Sequence, residues 1–350
     1  MQGTWRAAWQ IAFTYIGTVV GAGFASGKEI VEFFVQYGTQ GLVGIILATT
    51  LFIWAGIRVM LIAYRIQADS YQEVSTYLFG HPFGTVFNTL LLTVLLGTTS
   101  VMLAATGAIF WESFRLSPQI GIWFSMILIF FVTKKGLFAI HHVNSIFVPM
   151  LIGFTVLVFL YTKPWLDTNV VVESLRPWAW LSSPFYYVAL NVTLTQAVLI
   201  PMGRQSTSEK PLILGGIIGG LGIGLLLLLA YASLSVKMPG IHHAEMPMIA
   251  VLQGLGPTIP FLFSLLVYAE IFSTLVANVF GLAQQIRQVT PLRGPTILLG
   301  ILLICYLISF IGFSSLLRFL YPLFGQLVVF FLVMLVYRQW RERNRVGGSD

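Results

Sequence analysis

A single cysteine in 350 residues excludes an intrachain disulfide and a thiolate metal cluster. It is Cys305, set in an apolar run where a thiol serves as a small buried hydrophobe. Charge is the second scarcity. Asp, Glu, Lys and Arg together make up 9% of the chain, against about 25% in a soluble globular domain. What fills the space is apolar: 57% of residues are hydrophobic and the mean hydropathy is +0.88. This balance predicts an integral membrane protein. The net charge of +7 is no footprint of nucleic acid, because the basic residues stand at the ends of apolar segments, where they set topology. The terminal cluster Arg338, Arg341, Arg343 and Arg345 is also placed to touch anionic lipid. The first apolar run is interrupted by Gln10, Thr14 and Tyr15 and lacks a small-residue cleavage site, so it reads as a span rather than a cleavable signal.

A hydropathy window of about 20 residues predicts about ten spans. They fall near 7–36 (interrupted), 40–65, 84–111, 118–133, 136–161, 184–203 (a second candidate interruption), 211–236, 257–285, 294–312 and 315–337. The link at 66–83 reads as an amphipathic surface helix ending at Gly80. With the N-terminus inside, 13 of the 19 Lys and Arg are cytoplasmic; Lys28, Arg115, Lys163, Arg176, Lys237 and Arg318 are the six outside. That bias, and an even number of spans, predict a multi-pass protein with both termini in the cytoplasm. The spans divide into halves of five, 7–161 and 184–337, followed by a basic tail, 338–350. An odd number per half forces opposite insertion, so the expected fold is one all-α domain built as a 5+5 inverted repeat, with discontinuous helices in spans one and six.

The stretch that governs this reading is Gly17-Thr-Val-Val-Gly-Ala-Gly-Phe-Ala-Ser-Gly-Lys-Glu-Ile30. It is not a phosphate loop: Ala22 stands where the glycine before Gly-Lys spacing is required, and Glu29 follows Lys28. Nor is it a dinucleotide fingerprint, since Gly21-Ala-Gly23-Phe-Ala-Ser-Gly27 has one residue too many and lies in a membrane span. Irregular backbone at this depth must be buried in protein or line a wet cavity. A broken helix fits. Carbonyls of the first half suit a cation, and N–H groups after Gly23 suit a carboxylate, with Phe24 as an apolar wall. Close packing at Gly17, Gly21 and Gly23 alone leaves Ser26, Lys28 and Glu29 without a role. Lys28 and Glu32, spaced i,i+4, form with Glu29 a candidate outer charged gate.

In the eighth span Glu270 lies near the bilayer midplane, and Ser273, Thr274 and Asn278 share its helical face. A carboxylate there marks a pathway or relay. Four oxygen-bearing side chains suit a hard cation, whereas desolvation would make Glu270 a proton carrier; both remain open. Asn191, Thr193 and Gln196, before Pro201 and Gly203, mark the candidate second break or else serve as interhelical glue. His141 and His142, near Asn144, are either a proton relay or interfacial histidines. Thr98, Thr99 and Ser100 either line the cavity or bond to their own helix. The glycines of span seven, Gly215 to Gly224, need only close packing. No nucleophile–base motif of a hydrolase stands out, and the chain reads as a non-enzyme without an organic cofactor.

Gly17-x-x-Val20-Gly21-x-Gly23 with Glu270-x-x-Ser273-Thr274 resembles the LeuT-fold transporters of the amino acid–polyamine–organocation superfamily. The fuller glycine string is most similar to the YkvI-type bacterial membrane proteins, and that resemblance covers nearly the whole chain. It implies a secondary transporter of the bacterial cytoplasmic membrane, taking up a small organic solute with Na+ or H+ as coupling ion. A neutral amino acid or related amine is the implied solute. It further implies sodium between the carbonyls of Gly17 and Val20 and the hydroxyls of Ser273 and Thr274. Glu270 stands where such proteins offer only a carbonyl, so it either strengthens a sodium site or replaces sodium with a proton. The implied solute lies against Val19, Val20, Ala22, Gly23, Phe24 and Ser26, facing Leu190, Asn191 and Thr193. The missing glycine in span six departs from the family pattern. Germinant-permease-like proteins share the fold, which leaves a non-transporting ligand sensor as the alternative.

Overall fold

Backbone polar groups inside hydrocarbon must find partners within their own segment, and an apolar run without glycine does so as a helix. The computed structural model describes residues 2–135, 140–165 and 178–346. These form helices α1 (Gln2–Val19), α2 (Ala22–Ser26), α3 (Lys28–Phe33), α4 (Thr39–Ile66), α5 (Tyr71–Phe79), α6 (His81–Glu112), α7 (Pro118–Lys135), α8 (Ile140–Thr162), α9 (Ala179–Gln205), α10 (Glu209–Ser235), α11 (Pro247–Leu252), α12 (Thr258–Val289), α13 (Gly294–Ser309) and α14 (Phe313–Val346), with no strand among the described residues. By length and composition α4, α6, α9, α10, α12 and α14 can each cross a membrane, and shorter apolar helices lie within α7, α8 and α13. The chain is a multi-pass membrane protein. The short surface helix expected in the 66–83 link is α5, opened by the Ser70 hydroxyl accepting from the Glu73 N–H and closed at Gly80 with φ +80°.

The glycines of α10 do what close packing requires. Gly215, Gly219 and Gly222 receive Ile11, Tyr15 and Ile16 of α1, while Gly216, Gly220 and Gly224 receive Ile57, Ile53 and Thr49 of α4. One glycine stripe per neighbour lets α10 wedge between them. The contacts with α1 advance together in sequence, so those two helices run parallel. At one end of the bundle Arg65 pairs with Glu209 at 2.9 Å, Arg204 pairs with Asp69, and Arg338 Nε donates to the Leu78 carbonyl at 3.2 Å. The entry of α10 and the late part of α14 therefore share that end.

Gly41 shows how little room some junctions leave. A Cβ there would overlap the carbonyl of Phe34, a backbone atom that cannot swing aside. Gly41→Ala is expected to lower stability by about 1–3 kcal/mol, the usual cost of overpacking. Thermal unfolding in detergent measures it, and an unchanged midpoint would show that the α3–α4 corner is looser than its geometry.

The sixth span differs from expectation. α9 runs unbroken from Ala179 to Gln205, with Pro184 and Pro201 inside it. Its one glycine, Gly203, falls in the last turn, beyond the polar residues of the expected break, and local side chains bond their own helix. Asn191 Nδ2 donates to the Tyr187 carbonyl at 2.9 Å and Thr195 Oγ1 to the Val192 carbonyl at 3.0 Å.

Candidate functional site

The first span breaks where its glycines predicted. The Val20 N–H still reaches the Ile16 carbonyl at 2.7 Å, but the Gly21 N–H turns to the Val19 carbonyl at 3.0 Å instead of that of Gly17. The ladder resumes only with the Ala25 N–H on the Gly21 carbonyl, 2.9 Å. The carbonyls of Gly17, Thr18 and Val20 are thereby left out of it. A second break follows at Gly27, whose φ of +80° is left-handed and favours glycine. Helix α2 between them is wholly buried, packed on α12 and α11. Val19, Val20, Ala22 and Phe24 are all core residues here. The Ser26 hydroxyl is taken up locally: it donates to the Gly23 carbonyl at 2.8 Å and accepts from the Lys28 N–H at 3.1 Å.

Across from the break stands α12. A Cβ built on Gly21 would lie 4.0 Å from Thr274 Oγ1, so the irregular backbone and that hydroxyl face each other. Ser273 Oγ donates to the Glu270 carbonyl at 3.1 Å, which leaves its oxygen lone pairs available. Glu270 is 2% exposed, and its Oε1 has no hydrogen-bond partner. A buried carboxylate oxygen without a donor calls for a cation or a proton. Gly17 meets Val148 of α8 on its other side, 2.8 Å from the position of an added Cβ, so close packing and an available carbonyl coexist there.

The three charges of α3 diverge from the gate expected of them. Glu32 does not pair with Lys28; its Oε1 accepts from Arg318 Nε of α14 at 3.1 Å. Lys28, 1% exposed, donates through Nζ to the carbonyls of His242 at 3.2 Å and Ala244 at 3.1 Å. Glu29 turns inward instead of forming a rim. It is 6% exposed, it lies against Gly23, and the phenol of Tyr321 of α14 lies beside its carboxylate. The partners that take up Lys28 and Glu32 come from the segment before α11 and from α14, contacts that spacing within α3 does not disclose.

The segment before α11 is clasped from several sides. Besides Lys28, the Glu112 carboxylate at the end of α6 accepts from the N–H groups of Glu245 and Met246, at 2.7 and 2.9 Å. Glu245 in turn accepts from the N–H and hydroxyl of Ser314 at the start of α14, both at 2.8 Å. A cavity of about 710 Å3 opens beside the clasp, lined by Glu112, Gln253, Thr258 and Ser264 among others. Lys28→Met keeps the bulk but strands two carbonyls, each unsatisfied group costing about 1–3 kcal/mol. Limited proteolysis followed by mass spectrometry is expected to show faster cleavage between α10 and α11. Cleavage at the wild-type rate would assign the clasp to Glu112 and Glu245 alone.

In α9, Thr193 Oγ1, both polar atoms of the Gln196 amide and the Tyr187 hydroxyl are buried without partners. Asn191 is spent on its own helix, as are Thr98, Thr99 and Ser100 in α6. The side chains of His141, His142 and Asn144 lie outside the described residues. Tyr187 and Tyr321 carry no sequence signal, being aromatic residues within apolar runs.

No protein-family model matches the chain. The uncharacterized membrane protein YkvI of Bacillus subtilis (strain 168) is 36% identical over 340 residues, which is 97% of this chain and 98% of that protein. The chain belongs to the YkvI family. YyaD of the same organism is similar to this YkvI-family chain at 27% identity over 340 residues, 95% of the chain and 97% of YyaD. Among solved structures, the inward-facing conformation of Mhp1 matches with a TM-score of 0.66 at 14% identity, over 92% of this chain and 73% of Mhp1. The Eremococcus coleocola manganese transporter, in complex with an aromatic bis-isothiourea substituted compound, matches at 0.59 and 14%, over 94% and 78%. At such identity the likeness shows the fold alone: this YkvI-family chain has the all-helical fold of Mhp1, a LeuT-fold protein.

Proposed function

We propose that this YkvI-family protein is a secondary active transporter of the bacterial cytoplasmic membrane, driving uptake of a small organic solute with Na+ or H+ by alternating access. The observation that carries the reading is the juxtaposition of the first-span break with α12. Gly21 faces Thr274, and Glu270, whose Oε1 has no hydrogen-bond partner, lies one turn away on the same helix. In this reading the released carbonyls of Gly17 and Val20 and the side chains of Glu270, Ser273 and Thr274 hold the coupling ion. Its binding ties α1 and α2 to α12, and release lets one bundle rock against the rest. The halves 7–161 and 184–337 would be inverted repeats within one ten-span domain of the amino acid–polyamine–organocation superfamily, with both termini cytoplasmic. The Glu32–Arg318 pair and the clasp around Lys28 would close the end that opens on the cavity beside Glu112.

Reconstituted full-length protein tests this directly. Amino acids and amines are offered to proteoliposomes under a sodium or a proton gradient, and uptake and counterflow are recorded. Accumulation that collapses with an ionophore is the expected result. A ligand that stabilises the protein yet shows no counterflow would replace the transporter reading with the sensor one.

A further inference from the structure

Of the three buried charges on α3, two have partners that end their electrostatic need. Lys28 is held by two loop carbonyls, and Glu32 by Arg318. Glu29 is the exception. Among the described residues its carboxylate meets a phenol, that of Tyr321, and no basic side chain. A second phenol, that of Tyr187 in α9, lies within electrostatic reach of the same carboxylate, fully buried and without a hydrogen-bond partner. Around Tyr187 the rings of Phe33 and Phe34 stand with centroids 5.2 Å away, and that of Phe52 at 5.9 Å. An acid beside two phenols, one of them packed among aromatic rings, differs in chemistry from the hydroxyl-bearing face around Glu270. Inorganic cations want several hard oxygens, whereas ring faces attract the diffuse charge of an ammonium.

We infer that Glu29, with Tyr321 and Tyr187, recognises the ammonium group of the solute, so that the cargo is an organic amine of net positive charge. The inference rests on the transporter reading for the word cargo, but the recognition stands without it. The two carboxylates then divide the work. Glu270 serves the coupling ion, and Glu29 serves the solute. A zwitterionic amino acid would bring its own carboxylate toward two buried acids, a like-charge contact that disfavours it.

Thermal unfolding of the full-length protein in detergent tests the assignment, with phenethylamine, n-butylamine and ethanolamine set against phenethyl alcohol, n-butanol and ethylene glycol. At least one amine is expected to raise the midpoint where its alcohol does not. Glu29→Gln is expected to weaken that amine by about 10- to 100-fold, the range for losing a charge-assisted contact. Should Glu29→Gln fail to fold, Glu29→Asp and Tyr321→Phe keep the charge or the ring and are expected to weaken the amine by smaller factors. Stabilisation by alcohols equal to that by amines overturns the assignment, as does an amine response unchanged in these variants or the absence of any. Amine binding without counterflow would defeat only the transporter reading. Gradient-driven uptake of a neutral solute, indifferent to Glu29→Gln, would defeat only this one.

Discussion

Glu270→Gln is expected to abolish ion-driven accumulation while leaving the protein as stable as before, or more so. The carboxylate is buried with one oxygen lacking any donor, so in the empty protein its charge is an expense with no return. Gln has the same shape and no charge, and removing an unpaired buried charge is neutral or stabilising. Function answers differently. If Glu270 holds the coupling ion, losing it removes a charge-assisted contact of about 1.5–3 kcal/mol, a drop of about 10- to 100-fold in gradient-driven uptake. Solute-for-solute exchange, which needs no net ion movement, should persist. Glu270→Asp keeps the charge but withdraws it by a methylene and should retain part of the coupling. The readouts are paired: unfolding midpoint, gradient-driven uptake, and counterflow. Uptake by Glu270→Gln that matches wild type would remove Glu270 from the mechanism.

The same side chain shows what a sequence can disclose. A carboxylate far inside an apolar run is costly, so its position alone advertised a role. Gly17, Gly21, Gly23 and Gly27 were equally readable, because they stand beside Ser26, Lys28 and Glu29, polar residues that close packing leaves without a role. The structure places breaks after Val19 and at Gly27. The α10 glycines were read as packing and do pack, three on each neighbour. α9 was less legible. Asn191, Thr193 and Gln196 look like residues of an unwound segment, yet all three sit in a continuous helix, where Asn191 bonds its own backbone and the other two are buried without partners. Least legible was the direction of Glu29. One left-handed residue at Gly27 turns α3 relative to α2, so spacing no longer tells which residues meet. The phenols that receive Glu29 come from α9 and α14, more than 150 positions away along the chain.

Gly23→Ala is expected to reproduce the loss seen on neutralising Glu29 without touching its charge. The position a Cβ would take at Gly23 is occupied by the Glu29 carboxylate. That neighbour is the far end of a flexible side chain, unlike the backbone carbonyl that confronts Gly41, so the chain can fold by pushing Glu29 away. Overpacking costs about 1–3 kcal/mol, and replacing a helical glycine by alanine returns about 1 kcal/mol. The net change in unfolding midpoint should be small. Amine stabilisation and amine uptake, by contrast, should fall as far as in Glu29→Gln, since the carboxylate is pushed from its place beside Tyr321. Combining Gly23→Ala with Glu29→Ala supplies the decisive comparison. If the methyl group acts only through Glu29, the double variant loses nothing beyond Glu29→Ala, and the two substitutions are strongly non-additive. Additive losses would mean instead that Gly23 serves through its own backbone, in contact with the solute at the break. A wild-type amine response in Gly23→Ala would separate the glycine, and the close approach it permits, from recognition altogether.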